Sequence, residues 1–385
     1  MNTVELGTTT ADRTVGAKQT GAPFIRVENL TKVFQLTKSG RSGLFGRRPL
    51  KGFTAVDKVS FEVERGQIFV IMGLSGSGKS TIIRMINRLI DASDGTITVD
   101  GKDVRSLPAS ELRAYRNQTI NMVFQHFGLF PHKSLVDNVA FGLKVRGVDK
   151  ATREAKAAEA LTLVGLGDRI HAMPDQLSGG MKQRVGLARA LATDAEILLM
   201  DEPFSALDPL IRKDMQELLI KLQRNFKKTI LFVTHDLNEA MYLGDRIMVM
   251  KQGKDMQNGT ALDLLEAPAD PYIEEFVAEV DRSRVITAGM VARRSPAPAG
   301  APAPAGAPAP GAATAPGAAT APGAAAVGEP GERVQEDVVL HELLPIFAAG
   351  AGWAAVVDKN GAPIGKVTAE EVFAALAPKG FSNAS

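Results

Sequence analysis

Gly73 to Ser80 read G-x-x-x-x-G-K-S, a loop whose glycines let backbone N–H groups close around phosphate oxygens. An apolar strand precedes it in QIFVIMG and an amphipathic helix follows in KSTIIRMINRLI, so the helix start adds its positive dipole end. In this setting Lys79 holds the β- and γ-phosphates of a nucleotide and Ser80 ligates Mg²⁺ through its hydroxyl. Gly73, Ser75, Gly76, Ser77, Gly78 and Thr81 complete the cradle. The competing explanation is an accidental Gly/Ser turn, and the strand, loop and helix order argues against it.

Two acids close a second apolar strand, in AEILLMDEP. Asp201 is placed to enter a Mg²⁺ shell. Glu202, one residue on, can project toward the γ-phosphate and orient or deprotonate the attacking water, which makes it the expected general base. A strand capped by two acids is by itself more often a solvated loop entry, and the phosphate loop in the same chain reverses that balance. His235 ends a third apolar strand, in TILFVTHDLNEA, and can reach the same phosphate edge. A lone histidine is usually structural, but the abrupt polar switch after Ile230 to Val233 favours a γ-phosphate contact. Gln125 follows a short apolar strand in NMVFQHFGLFPH, where an isolated glutamine says little on its own.

The chain that positions these residues has 385 amino acids, more than one hydrophobic core usually organises. Lys and Arg total 45 against 43 Asp and Glu, and a net charge of +2 makes no electrostatic case for nucleic acid. Cysteine is absent, which excludes disulfides, thiolate nucleophiles and Cys-ligated zinc and fits a reducing cytoplasm. Residues 1–23 lack an apolar run and read as a disordered tail, neither signal peptide nor anchor. Residues 24–280 have ordinary globular composition, whereas 281–331 shade into an almost pure Ala/Pro/Gly stretch with no strict period, the composition of an extended linker. Complexity returns over 332–385, where VLHELLPIFAAG, WAAVVD and PIGKVTAEEVFAAL read as helix, strand, strand and helix.

LSGGMKQRVGLARAL, from Leu177 to Leu191, resembles the signature of the ABC ATPase family, an LSGG turn opening a basic helix. The resemblance gives the other pieces their names. Gly73 to Thr81 is similar to the Walker A loop, Gln125 to the Q-loop, Ile197 to Asp201 to Walker B, Ser205 to Asp208 (SALD) to the D-loop, and His235 to the switch histidine. It implies an α/β fold: a P-loop ATPase domain with a RecA-like core, an antiparallel β subdomain and a helical subdomain. It implies ATP and Mg²⁺ as cofactors, with Gln125 joining Ser80 and Asp201 at the metal and assisting Glu202 and His235 in catalysis. It also implies a head-to-tail dimer, in which Ser178, Gly179, Gly180 and Gln183 of one copy, with Asp208, face nucleotide held by the other. Ser178 can alternatively be a plain N-cap, which leaves two successive glycines and Gln183 unexplained. Phe34, in LTKVFQL, matches the family position that stacks adenine, against the alternative of a buried strand phenylalanine. The basic stretch between residues 35 and 53 has no assigned role.

GQIFVIMGLSGSGKST, NRLIDASDGTITVDG, MVFQHFGLFPH and DEPFSALDPLIR resemble more narrowly the ATPase subunits of importers for glycine betaine and related quaternary amines. That likeness implies permease partners, contacted by the segment after the Q-loop around Phe127, Leu129 and Phe130, and indirectly an extracytoplasmic solute-binding protein. It places the chain at the cytoplasmic face of the cell membrane. The terminal unit resembles a single CBS motif where relatives usually carry two, and relatives associate this region with osmotic or ionic-strength regulation. On a linker of about 40 residues, spanning roughly 30–40 Å, two such units in one dimer are expected to reach each other. A soluble ABC ATPase of DNA repair or the ribosome is the rival reading, but neither a coiled-coil insertion nor a second cassette is present. A nucleotide sensor with incidental hydrolysis is the other, against which Lys79, Glu202 and His235 all stand intact.

Overall fold

The computed structural model describes residues 22–35, 52–124, 128–278, 280–292 and 333–377. The expectations for the tail up to residue 21, for the basic stretch 36–51, for Gln125 to Phe127 and for the Ala/Pro/Gly stretch 293–332 lie outside the described residues.

Alternating apolar and polar residues in β1 (Ile25–Phe34) and β2 (Phe53–Val63) make an antiparallel pair with one covered face. β3 (Ile68–Gly73) instead is buried at every position, the pattern of a central parallel strand. It leads into α1 (Lys79–Ile86). Next come β4 (Asp94–Val99) and β5 (Lys102–Asp103), which extend the first sheet to the order β2-β1-β4-β5, then α2 (Ala109–Ala114) and β6 (Ile120–Val123). A helical layer follows: α3 (Leu135–Val145), α4 (Lys150–Leu163) and α5 (Gly179–Ala192), packed against one another. β7 (Ile197–Asp201), α6 (Pro209–Phe226), β8 (Thr229–Thr234), α7 (Leu237–Leu243), β9 (Arg246–Lys251) and β10 (Lys254–Gly259) complete the core, and α8 (Ala261–Glu266) and α9 (Pro271–Ala278) close it.

The second sheet has the order β10-β9-β3-β8-β7-β6, parallel throughout except for β10. Its side chains alternate between two cores. Phe69 and Ile71 of β3 face α1 and the antiparallel sheet, whereas Val70 and Met72 face the helical side with Leu198, Met200 and Phe232. The α/β class, the RecA-like core and the two subdomains are therefore as the sequence led us to expect. The geometry also places the carboxyl ends of β3, β7 and β8 side by side, which is where ligands bind in sheets of this kind.

The chain beyond α9 departs from expectation. Residues inside the stretch assigned to the linker form a turn at Arg282–Arg284 and a short helix, α10 (Ala288–Ala292). The latter packs against β11 (Arg333–Gln335), β12 (Trp353–Val357), β13 (Pro363–Thr368) and α12 (Ala369–Leu376), while α11 (Leu340–Ala348) packs on the turn and on α12. Ala288 N donates to Val338 O at 2.8 Å, Gly289 N to Glu336 O at 2.9 Å and Leu340 N to Ile286 O at 2.9 Å. The apolar residues of this unit continue the cluster on the helical side of the cassette. Arg224 at the end of α6 pairs with Asp337 at 2.9 Å, and Arg282 donates to Leu265 O and Ala377 O. The terminal unit thus packs on its own cassette, and the 293–332 stretch interrupts that unit instead of preceding it. Two units meeting across a dimer on long free tethers is not the arrangement these contacts describe. Trp353, which opens β12, is only partly buried.

Ending the chain at Ser295 strips the partners from Ile286, Ala288, Val291 and Ala292, all buried here. Uncovering them should cost a few kcal/mol and lower Tm by about 4 °C or more. Calorimetry showing the truncated chain melting with the full one would contradict this packing.

Candidate functional site

The turn after β3 is shaped by glycines that serve different ends. A side chain at Gly73 (φ 147°) would meet Met250 O at 2.3 Å, and one at Gly78 (φ 102°) would meet Ala55 O at 2.4 Å, so β9 and β2 demand these two. Gly76 (φ 80°) has nothing within 4 Å and leaves the loop open toward the space where phosphate would lie. Gly78 caps α1 without a side chain, so the first amides of that helix are free for an anion. Ser75 and Gly76 are exposed. Ser77 is buried, and its hydroxyl has no hydrogen-bond partner among the described residues.

Lys79 is 4% exposed and donates to Gly73 O at 2.8 Å and Leu74 O at 3.1 Å, its ammonium 3.9 Å from Glu202 Oε1. Burial lowers its pKa below that of an ordinary lysine, and the nearby Glu202 and Asp201 carboxylates act in the opposite direction. One residue on, Ser80 Oγ donates to Asp201 Oδ1 at 2.6 Å, and Arg84 Nη2 lies 3.3 Å from Asp201 Oδ2. A hydroxyl beside a buried carboxylate is a hard-oxygen pair that suits Mg²⁺. Among the described residues no group of three or more His, Cys, Asp or Glu could hold a metal by itself. Thr81 lies partly buried in the first turn of α1.

Glu202 sits at φ 46°, a left-handed backbone that a branched or bulky residue resists and that turns the chain sharply after β7. Its amide donates to Val233 O at 3.0 Å, which locks β7 to β8 at this point, and its Oε2 is 3.0 Å from His235 Nδ1. Lys79, Glu202 and His235 therefore converge within hydrogen-bonding or ion-pairing reach, with the Ser80–Asp201 pair on the neighbouring residues, from strand ends that the sequence had only lined up by pattern. Phe34 ends β1, 38% exposed, opposite Phe53, with Lys32 Nζ 5.1 Å from its ring centroid. Its ring is accessible and not buried in a core.

The signature turn lies apart from this cluster. Ser178 and Gly179 are exposed at the start of α5, where Ser178 Oγ accepts from Met181 N at 3.4 Å. Among the described residues no hydrogen bond joins Leu177–Gly180 to the 73–81 loop. Gly180 has a reason the sequence hid: a side chain there would meet Ile211 Cγ2 of α6 at 2.3 Å. Gln183 is 1% exposed, and its carbonyl oxygen has no partner among the described residues. Asp208, expected at nucleotide, caps α6 by accepting from Ile211 N at 3.0 Å. Sequence reading missed Arg84 and Arg212, both charge partners of this region, because nothing local marks them. A separate cleft of about 1460 Å³ between the cassette and the terminal unit holds none of these residues. Five cations line it, Arg26, Arg65, Arg224, Lys227 and Lys359, of which the three arginines are paired with Glu62, Asp100 and Asp337.

A buried lysine and a hydroxyl–carboxylate pair, beside a glutamate that touches a histidine at the carboxyl ends of adjacent parallel strands, are the working parts of a P-loop nucleoside triphosphatase. Residues 56–205 match the ABC transporter family. The glycine betaine/carnitine transport ATP-binding protein GbuA of Listeria monocytogenes serotype 1/2a (strain 10403S) is 53% identical over 278 residues, 70% of each chain. The glycine betaine transport ATP-binding protein OpuAA of Bacillus subtilis (strain 168) is 50% identical over 279 residues, 70% of this chain and 67% of that one. The ATP-binding cassette MJ0796, solved as a dimer in a post-hydrolysis state with ADP and Pi, superposes with a TM-score of 0.54 at 33% identity, covering 62% of this chain and 98% of that one. The chain belongs to the ATP-binding subunits of ABC transporters and is an ATPase coupled to transport.

Proposed function

We propose that this chain hydrolyses Mg²⁺-ATP as a head-to-tail dimer at the cytoplasmic face of the cell membrane and thereby powers import of an osmoprotectant such as glycine betaine, proline betaine or choline. The observation that carries the solute class is the 53% identity to a glycine betaine/carnitine system over 278 residues, well beyond the nucleotide motifs. Among the described residues no helix is long and apolar enough to cross a membrane, so the path for solute belongs to permease partners, fed by an extracytoplasmic binding protein.

The site residues take these roles in the proposal. Lys79 and the loop amides hold the β- and γ-phosphates, and Phe34 stacks the adenine. Ser80 and Asp201, whose oxygens are already paired, would hold Mg²⁺, which would supply charge neutralisation to the phosphates. Glu202 accepts the proton of the attacking water, and His235, bonded to Glu202, contacts the γ-phosphate. The exposed Ser178–Gly179 turn serves the partner's nucleotide, since its own loop makes no bond to it. Residues 24–280 form the cassette, and 282–292 with 333–377 form a CBS-like unit interrupted by the Ala/Pro/Gly stretch.

The test is solute-stimulated hydrolysis by the chain reconstituted with its permease in proteoliposomes. Binding protein loaded with glycine betaine, proline betaine or choline should raise ATPase turnover several-fold, and loaded with an amino acid lacking a quaternary nitrogen it should not. Stimulation by the latter alone would remove the solute assignment while leaving the ATPase untouched.

A further inference from the structure

We infer that Arg212 is a positioning residue for hydrolysis, holding the segment that carries His235 against the turn that follows Glu202. Arg212 lies in the first turn of α6, where the helix dipole disfavours a cation. Something specific must hold it there. Its Nη1 donates to Asp236 Oδ2 at 3.0 Å and its Nη2 to Leu207 O at 3.2 Å. A planar guanidinium can bridge two such acceptors at fixed spacing, which a single ammonium cannot. Both side chains of the ion pair are about two-thirds covered, and Arg212 Nε is buried without a partner among the described residues, so these two contacts are what hold the group.

Each acceptor belongs to a segment of the site. Asp236 follows His235 directly. Its other oxygen accepts from Glu239 N at 3.1 Å to cap α7, and its own amide donates to Thr234 Oγ1 at 3.0 Å, so His235 is fixed from both sides. Leu207 follows directly on the turn after Glu202, in which Ser205 Oγ donates to Glu202 O at 3.0 Å. A second link runs parallel, from Gln216 Nε2 on the next turn of α6 to Glu239 Oε1 at 3.1 Å. Arg212 thus sets the distance between His235 and Glu202 from behind. None of its hydrogen bonds reaches the 73–81 loop, so ATP binding does not depend on it.

The inference rests on the proposed roles of Glu202 and His235, and the experiment separates the two. In the full chain, Arg212→Met should lower single-turnover hydrolysis about tenfold or more while the Kd for ATP stays within about twofold, the split expected for a group acting on the transition state alone. Arg212→Lys, which keeps the charge and is the safer variant for folding, should recover less than half of that loss. In a His235→Ala background, Arg212→Met should add less than about twofold, because its effect passes through His235. Hydrolysis within twofold of the unmodified chain in both Arg212 variants, a full tenfold loss in the His235→Ala background, or a loss of hydrolysis matched by ATP affinity would each overturn the inference. If instead His235→Ala alone hydrolyses at the normal rate, it is the reading of His235 that falls.

Discussion

Glu202→Gln is expected to bind ATP with nearly unchanged affinity and to hydrolyse it at least roughly a hundredfold more slowly, the scale of a lost general base. The geometry isolates the chemical change. Glu202 Oε2 lies 3.0 Å from His235 Nδ1 and Oε1 3.9 Å from Lys79, whereas the phosphate loop is held by Gly73 O, Leu74 O and the hydroxyl–carboxylate pair of Ser80 and Asp201. Glutamine has the same length, tolerates φ 46° as well as glutamate does, and keeps an oxygen to face Lys79 or His235. It cannot take a proton from water at neutral pH. With hydrolysis stopped and binding intact, the variant should accumulate as an ATP-bound dimer, visible as a doubling of mass by light scattering on adding ATP and Mg²⁺. A loss of only a few-fold would reduce Glu202 to orienting the water and would move the base elsewhere. Loss of ATP binding would mean instead that the substitution has disturbed the loop through Lys79.

The phosphate loop, the Asp201–Glu202 pair and His235 were legible in the sequence because each follows a buried, mostly apolar strand, so local pattern alone delivers them to the same edge. β3, β7 and β8 are buried at every position, and their ends carry the phosphate loop, the Asp201–Glu202 pair and His235. What escaped depends on partners distant in the chain. Gly180 looks like part of an anion-binding turn, but its necessity comes from Ile211 on another helix. Arg212 is one cation in an ordinary helix until α7 brings Asp236, 24 residues on, against it. The segment VITAGMVA was read as the start of a linker because the composition shift follows immediately, while its hydrogen-bond partners Glu336 and Val338 lie beyond the Ala/Pro/Gly stretch. Composition marks where low complexity begins, and it says nothing about which side of the interruption a short helix packs on.

Lys79→Ala should weaken ATP binding itself, by about 10- to 150-fold, the equivalent of the 1.5–3 kcal/mol carried by a hydrogen bond to a charged group. The side chain is 4% exposed, and burial has already lowered the affinity of its nitrogen for a proton, so the ammonium is poorly solvated where it stands. Phosphate oxygens therefore replace little hydration when they meet it, which favours a strong contact. The cost to the fold is smaller than burial suggests. Alanine leaves Gly73 O and Leu74 O without their donor and opens a narrow cavity, but it also removes a cation held out of water, and the two effects oppose each other. We expect the ligand-free Tm to shift by only a few degrees. Adding ATP should raise the Tm of the unmodified chain and barely move that of Lys79→Ala, because stabilisation follows ligand concentration relative to Kd. Calorimetric titration with ATP gives the Kd directly. A value within threefold of the unmodified chain, with the fold intact by circular dichroism, would remove Lys79 from the phosphate contact and leave the loop amides as the principal anion site.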